Sequence, residues 1–232
     1  MIIRWIGQSG YVLKTRGTEI IIDPYLSDVV NRVANRPRLV EAPIKPAEIR
    51  ADAVICTHNH LDHLDSDAVC EMPVSQRFIT TNEGKTELEK LGRHNAAVLN
   101  LGESITVGDI ELTAVFADHT AEAFGLIVRA EGATLYFSSD SLYNERLFEI
   151  AQYRPDITFI CINGKLGNMT AAEAVIVAGK IGAKVNVPNH YGMFASNTED
   201  PHAFTDRIGS GFIMEFDKAY DVRQILNGGE AL

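Results

Sequence analysis

Nine consecutive residues restrict this chain more than any others: Thr57-His58-Asn59-His60-Leu61-Asp62-His63-Leu64-Asp65. They follow residues 52–56, Asp-Ala-Val-Ile-Cys, a short β-branched run of the kind that forms a buried strand. His58 and His60 are two apart, so in an extended segment leaving that strand their side chains lean to one side and can share one cation. Asp62 and His63 are adjacent. Neighbours in the first turn of a helix point in different directions, which directs this pair to a second ion beside the first. Three imidazoles and a carboxylate in six residues suit an N/O-ligated transition metal, not an oxygen-only Ca²⁺ or Mg²⁺ site. A solvated polar loop is the plain alternative, but three of the chain's seven histidines are packed here.

His-x-His-x-Asp-His after a strand resembles the signature of the metallo-β-lactamase fold superfamily of metal-dependent hydrolases. The resemblance implies a third histidine, a bridging aspartate and a last histidine, each at a strand end. His119 after the alternating stretch 110–117, Asp140 after 134–139 and His190 after 184–188 fall in that order. It therefore implies His58, His60 and His119 on one ion, Asp62, His63 and His190 on a second, and Asp140 bridging both. The ions would be Zn²⁺ or Mn²⁺, with Fe²⁺ a third candidate that the donor set also accepts. Asp23 ends a strand just before Pro24. It is either a turn former or, as the resemblance implies, an outer partner that fixes the tautomer of a ligand histidine.

At 232 residues the chain suits one domain, 1–232, built of two packed αβ halves, and a core of that size needs no disulfide. A formal charge of −10 argues against nucleic acid or a membrane surface as partner. Cys56, Cys70 and Cys161 are odd in number, and Cys56 and Cys161 sit in apolar runs, so packed thiols of a cytoplasmic protein are expected. The first residues alternate like a strand and lack the long apolar region of a signal peptide. The sequence is silent on oligomeric state and leaves a homo-oligomer open.

Strands are expected at 2–6, 11–15 and 18–22, then a long surface excursion over 26–46 carrying Arg32, Arg36 and Arg38. That loop is either a solvated face or a meeting place for an anionic substrate. After the metal motif, Asp65 or Ser66 caps a helix over 66–71, followed by strands at 77–80 and 97–99 around a helix at 82–91. Strands at 104–107, 110–117, 124–129 and 134–138 precede a helix over 143–153, for which Asp140 is a candidate cap. A strand at 157–163 leads to Thr170-Ala-Ala-Glu173, a capping box opening a helix to about Ile181. A strand at 184–187, a helix at 201–208 and an edge strand at 220–226 complete the chain, with His94 and His202 at the surface. Two groups of strands, each followed by helices, indicate an α/β fold, an αββα sandwich of four layers, which the resemblance also implies.

Asp-Pro-Tyr-Leu-Ser at 23–27, the motif at 57–65, Ile-Asn-Gly-Lys at 162–165 and Asn-His-Tyr-Gly-Met-Phe at 189–194 resemble the branch containing L-ascorbate-6-phosphate lactonases. That resemblance implies a hydroxide shared by two ions that opens a small phosphorylated lactone, with Asp62 orienting the water or handling its proton. Lys165, Asn168 and the start of the Thr170 helix would hold the anionic phosphate, and Tyr191 would shape the pocket. Lys165 stands where the branch has arginine, and lysine lacks the bidentate fork. The lactonases are also considerably longer. His60 occupies the position of a glutamate in related oxygen-reducing diiron proteins, which favours hydrolysis over redox chemistry. The alternatives are a phosphodiesterase on the same ions, a nuclease, which the acidic balance disfavours, and a non-catalytic, metal-stabilised ligand-binding protein.

Overall fold

Short apolar runs recur along the chain, and in a computed structural model, which describes residues 1–228, they pair into two sheets. The last four residues of the expected 1–232 domain lie outside the described residues. The first sheet joins β1 (Ile2–Gly7), β2 (Gly10–Lys14), β3 (Glu19–Ile22), β4 (Ala53–Ile55), β5 (Phe78–Thr80), β6 (Ala96–Val98) and β13 (Ala219–Asp221) in the order β13-β1-β2-β3-β4-β5-β6. The second joins β7 (Ser104–Val107), β8 (Ile110–Val115), β9 (Gly125–Ala130), β10 (Ala133–Phe137), β11 (Ile157–Cys161) and β12 (Val185–Asn189) in the order β12-β11-β10-β9-β8-β7.

Ile20 and Ile22 of β3 enter the core shared by the two sheets, while Ile21 between them enters a second core on the outer face. A strand buried on both faces has no polar positions to alternate with, which is why these runs read as continuous apolar stretches. The outer face of the first sheet is covered by α2 (Ser66–Glu71) and α3 (Asn82–Lys90), through Ala68, Val69 and Leu88. The second sheet is covered by a 3₁₀ helix, Glu145–Tyr153, and by α4 (Ala171–Ile181), whose Ala174, Val177 and Ala178 join the shared core. The architecture is an αββα sandwich. No helix among the described residues is long and apolar enough to cross a membrane.

Strand direction places the site. β1 runs with β3, because each is antiparallel to β2, and β4 is parallel to β3. β8 and β10 are each antiparallel to β9, and β10, β11 and β12 are mutually parallel. The carboxyl ends of β1, β3 and β4 thus share one edge of their sheet, as do those of β8, β10 and β12 in theirs, the usual location of sites in such sheets.

The structure corrects several expectations. The segment 26–46 contains a helix, α1 (Val29–Ala34), whose Val29 is fully buried against Tyr25, Met193 and Phe194. The helix expected over 143–153 is 3₁₀ and is capped by Asn144, not Asp140. Near the end, only α5 (His202–Thr205) remains of the helix expected over 201–208. The edge strand expected over 220–226 stops at Asp221, whose side chain accepts from the Arg223 amide at 2.8 Å and opens α6 (Val222–Leu226). A local side-chain cap outcompetes the apolar pattern there.

Asp65 ties this frame to the metal motif. Its carboxylate accepts from the amides of Leu26, Ser27 and Ala68 and from the Ser27 hydroxyl, at 2.9, 2.7, 3.0 and 2.6 Å. Asp65→Ala is expected to lower stability by about 3 kcal/mol, because four donors lose a buried charged acceptor. The midpoint of urea unfolding measures this, and an unchanged midpoint would overturn it.

Candidate metal centre

β4 delivers Thr57 and His58 at its carboxyl end. Asp62 and His63 do not stand in a helix: the carbonyl of His60 accepts from the amides of His63 and Leu64 at 2.9 and 2.8 Å, closing a tight turn three residues before α2. The turn sends His63 inward, fully buried, and leaves the Asp62 side chain 18% exposed. His119 follows β8, Asp140 follows β10 and His190 follows β12.

These ends bring all seven side chains together in two sets. His58, His60, His119 and Asp140 offer one ligand atom each within 4.8 Å of one another, and so do Asp62, His63 and His190. In the first set, His60 Nδ1 lies 3.1 Å from both His58 Nε2 and His119 Nε2. In the second, His190 Nε2 is 3.4 Å from Asp62 Oδ2. Asp140 spans the two: Oδ1 is 3.2 Å from both His63 Nε2 and His190 Nε2, and Oδ2 is 3.9 Å from His119 Nε2.

A second layer of bonds sets the tautomers. Asp23 Oδ2 lies 2.8 Å from His63 Nδ1, so that nitrogen carries the proton and Nε2 faces Asp140. Asp23 also accepts from the Thr57 amide and hydroxyl, each at 2.7 Å. With its proton spent on Asp23, Thr57 Oγ1 can only accept, from Ser139 Oγ at 2.7 Å and from His58 Nδ1 at 3.2 Å. His119 Nδ1 meets the Gly167 carbonyl at 3.1 Å, which likewise leaves Nε2 bare.

Sequence reasoning missed Gln8, Thr57, Ser139 and Gly167. Gln8 is fully buried, and its Nε2 donates to Asp62 Oδ2 at 2.8 Å while lying 3.1 Å from His190 Nε2. The available signal was positional: Gln8-Ser9-Gly10 turns at the same sheet edge from which Asp23 and His58 emerge.

A family model described as a beta-lactamase superfamily domain matches residues 18–191. The chain belongs to that superfamily. Among curated proteins it is 28% identical to a UPF0173 metal-dependent hydrolase of Oenococcus oeni, over 95% of this chain and all of the relative. Among solved structures it is similar to Igni18, described as a novel metallo hydrolase from Ignicoccus hospitalis, with a TM-score of 0.76, 20% identity and coverage of 95% and 98% of the two chains. It is also similar to an isothiocyanate hydrolase from Delia radicum gut bacteria, with a TM-score of 0.80, 19% identity and coverage of 95% and 99%.

The residues of this beta-lactamase superfamily chain fit a pair of divalent cations. His63 Nε2 and Asp140 Oδ1 are buried, lie 3.2 Å apart and lack any hydrogen-bond partner among the described residues. Such atoms cost roughly 1–3 kcal/mol each when left unpaired. Ring nitrogens 3.1 Å apart match the edge of a tetrahedron around a cation, about 3.3 Å for bonds of 2.0–2.1 Å.

Electrostatics differ between the sets. Burial takes His58 well below the usual imidazole range, helped by the neighbouring His63, and burial also lowers His119. Burial pulls His63 and His190 the same way but loses to the carboxylates. Asp140, Asp23 and Asp62 raise His63 well above the ordinary value, and Asp140 with Asp62 takes His190 up to about 9. Burial likewise opposes ionisation of Asp62 and Asp140, yet the charges of His63 and His190 hold both carboxyls below the usual range. Protons therefore compete for the second set far more than for the first.

A cavity of about 530 Å³ opens beside Asp62, Asp140 and His190. None of the three expected substrate contacts lines it. The Tyr191 ring packs on Trp5 at 4.9 Å, the Lys165 ammonium reaches the Ser196 carbonyl at 3.3 Å, and the Asn168 amide is buried with no partner for either end. The amide at the start of α4 is taken by its own capping box, Thr170 N donating to Glu173 Oε2 at 2.8 Å. Arg36 lines the cavity instead.

Two outcomes are expected. Gly167 has φ +89°, and a Cβ there would come within 2.9 Å of the His119 ring. Gly167→Ala should weaken binding of one ion at least about tenfold, read by competition with a chromogenic chelator, and unchanged affinity would overturn this role. Second, loading chelator-treated protein with Zn²⁺ near neutral pH should release protons. A group with a raised value keeps its proton in full below its ordinary value of about 6.5 and loses it as pH rises through the folded value, about 9 for His190. Affinity for the second ion should therefore climb across that window, while the metal-free fold loses the imidazolium's contribution above it. Calorimetry in buffers of differing ionisation enthalpy counts the protons; zero release contradicts the assignment.

Proposed function

We propose that the protein is a metal-dependent hydrolase acting on a small substrate, with His58, His60, His119 and Asp140 holding one divalent cation and Asp62, His63 and His190 a second. The observation that carries this is the place of Asp140, within 3.9 Å of ligand nitrogens of both sets. Zn²⁺, Mn²⁺ or Fe²⁺ bound there would supply Lewis acidity and water acidic enough to react near neutral pH.

The chain's own groups divide the remaining work. Asp62, open to the cavity and fixed by the Gln8 amide, orients the attacking water. Asp23 and Gly167 hold His63 and His119 with Nε2 inward. No side chain of the site serves as nucleophile. Burial raises the thiol of Cys56 far above its ordinary value and pushes Cys161 up to about 11, and the Ser139 hydroxyl donates to Thr57.

Opening of a small phosphorylated lactone is the narrower reading, supported by the segments 23–27, 57–65, 162–165 and 189–194. On the geometry, the phosphate would meet Arg36 rather than Lys165. A cytoplasmic setting accords with the thiols Cys56, Cys70 and Cys161, none of them paired in a disulfide.

The test is a panel of lactones, carboxylic esters and phosphodiesters with protein reloaded with Zn²⁺ or Mn²⁺. Turnover is expected to vanish with chelator and return with metal, and Asp62→Asn should lower kcat roughly 10²–10⁴-fold. Stoichiometric metal binding with no turnover of any of these would overturn the hydrolase and leave a metal-stabilised binding protein.

A further inference from the structure

Three arginines leave the 26–46 segment, and the structure separates their roles. Arg32 is spent on Asp67, its Nε and Nη2 lying 3.1 and 2.5 Å from the two carboxylate oxygens. Arg38 turns inward, donating to the carbonyls of Val40 and Ser27 at 2.6 and 2.8 Å and lying over the Tyr25 ring at 5.0 Å. Arg36 is half-buried on the wall of the 530 Å³ cavity that also contains Asp62, Asp140 and His190. Among the described residues it has no hydrogen bond or ion pair, unlike its two neighbours. A guanidinium drawn partly out of water without a partner is a recognition group awaiting one, because its five donors suit a carboxylate or a phosphate bidentately.

Apolar side chains share the cavity with that cation and the reacting centre. Val30, Leu61 and Leu166 line the same cavity, and Leu166 is held there 56% exposed, in a left-handed conformation with φ +54°. Acidic residues line a neighbouring cavity. A second cavity, of about 430 Å³, shares His60, Leu61 and Thr120 with the first and carries Glu83 and Glu87. Glu87 is paired with Lys90 at 2.7 Å, which leaves Glu83 as the acidic group there without a cationic partner among the described residues, while Arg36 supplies positive charge to the first cavity.

We infer that the substrate carries one anionic group, carboxylate or phosphate, set apart from its scissile bond by a short apolar stretch, and that Arg36 holds this anion. The apolar stretch lies on Val30, Leu61 and Leu166, and the part of the substrate toward Glu83 and Glu87 is neutral or cationic. This rests on the hydrolase reading above and adds substrate polarity to it.

The experiment compares neutral para-nitrophenyl alkanoates with para-nitrophenyl hemiesters of dicarboxylic acids of matched and varied length, on metal-loaded protein. Wild type should prefer a hemiester of one length by kcat/KM. In Arg36→Ala the ratio of hemiester to neutral ester should fall roughly tenfold to a hundredfold, chiefly through KM, with Arg36→Lys between the two. A preference that survives Arg36→Ala and Arg36→Glu, or no preference in wild type, overturns the inference while leaving the hydrolase standing. If neither ester class turns over, the hydrolase reading has failed on these substrates, and the anion site is decided separately by calorimetry with hexanesulfonate, a poor metal ligand. Binding lost in Arg36→Glu supports the site, and equal binding or none by both proteins overturns it.

Discussion

Asp140 is a carboxylate buried against three imidazoles, and the organisation of the centre follows from that. An unpaired charge in such a place costs several kcal/mol, so positive charge must be fixed around it from several directions. No single strand can supply it, since successive side chains on a strand alternate between faces. The chain uses the carboxyl ends of β1, β3, β4, β8, β10 and β12 instead. Two sheets packed through a common core bring those ends to one edge, and the ion pairs of Asp140 join the sheets where the apolar core stops. The buried Asp23 carboxylate repeats the principle one layer out, linking β3 to β4 through Thr57 and to the ligand turn through His63.

Four of the nine non-glycine residues with positive φ among the described residues lie at the same edge. Gln8, Asp23, Ser139 and His190 all have positive φ, at 51°, 43°, 56° and 61°, and each directly follows or ends a turn out of a strand. For non-glycine residues this conformation costs on the order of 1 kcal/mol each. It folds the chain back across its own strand end, so that a side chain which would continue past the sheet points over the edge into the centre. Hydrogen bonds hold all four in place: Gln8 to Asp62 and to His190, Asp23 to Thr57 and Ser139 to Thr57. The strain is offset by bonds that also set the ligand tautomers, so geometry and proton placement are fixed together.

Much of this was legible in the sequence, for identifiable reasons. His58, His60, Asp62 and His63 are close enough that spacing alone groups them, whereas periodicity finds only the apolar runs before His119, Asp140 and His190, and it is the resemblance to the superfamily that picks out those three as ligands. Asp65 declares itself as a cap, as does Thr170 with Glu173. What escaped depends on side-chain direction set by packing. Gln8 looks like any turn glutamine until the hairpin between β1 and β2 is placed beside Asp62. The turn at Asp62 and His63 closes on the His60 carbonyl, a bond no pattern announces. Tyr191 and Lys165 were assigned to the pocket by their segments, yet Trp5 takes the ring of one and Ser196 the ammonium of the other.

The same division separates chemistry from selectivity. Ligands set at strand ends and held by buried outer partners cannot shift without breaking both sheets. Leu61 of the metal motif and the ligands themselves line part of the cavity, but other lining residues come from elsewhere: Val30 and Arg36 from the excursion between β3 and β4, and Leu166 from the turn between β11 and α4. That excursion is anchored at points distinct from the metal centre, by Arg38 over Tyr25, by Tyr25 against Phe194 at 5.4 Å and by Arg32 with Asp67. Replacing Arg36 therefore breaks no anchor, and a change at that position touches no ligand of the centre. A loop independent of the ligand geometry can carry a substrate preference that the metal motif itself does not encode, which is why the motif specifies the reaction more narrowly than the substrate.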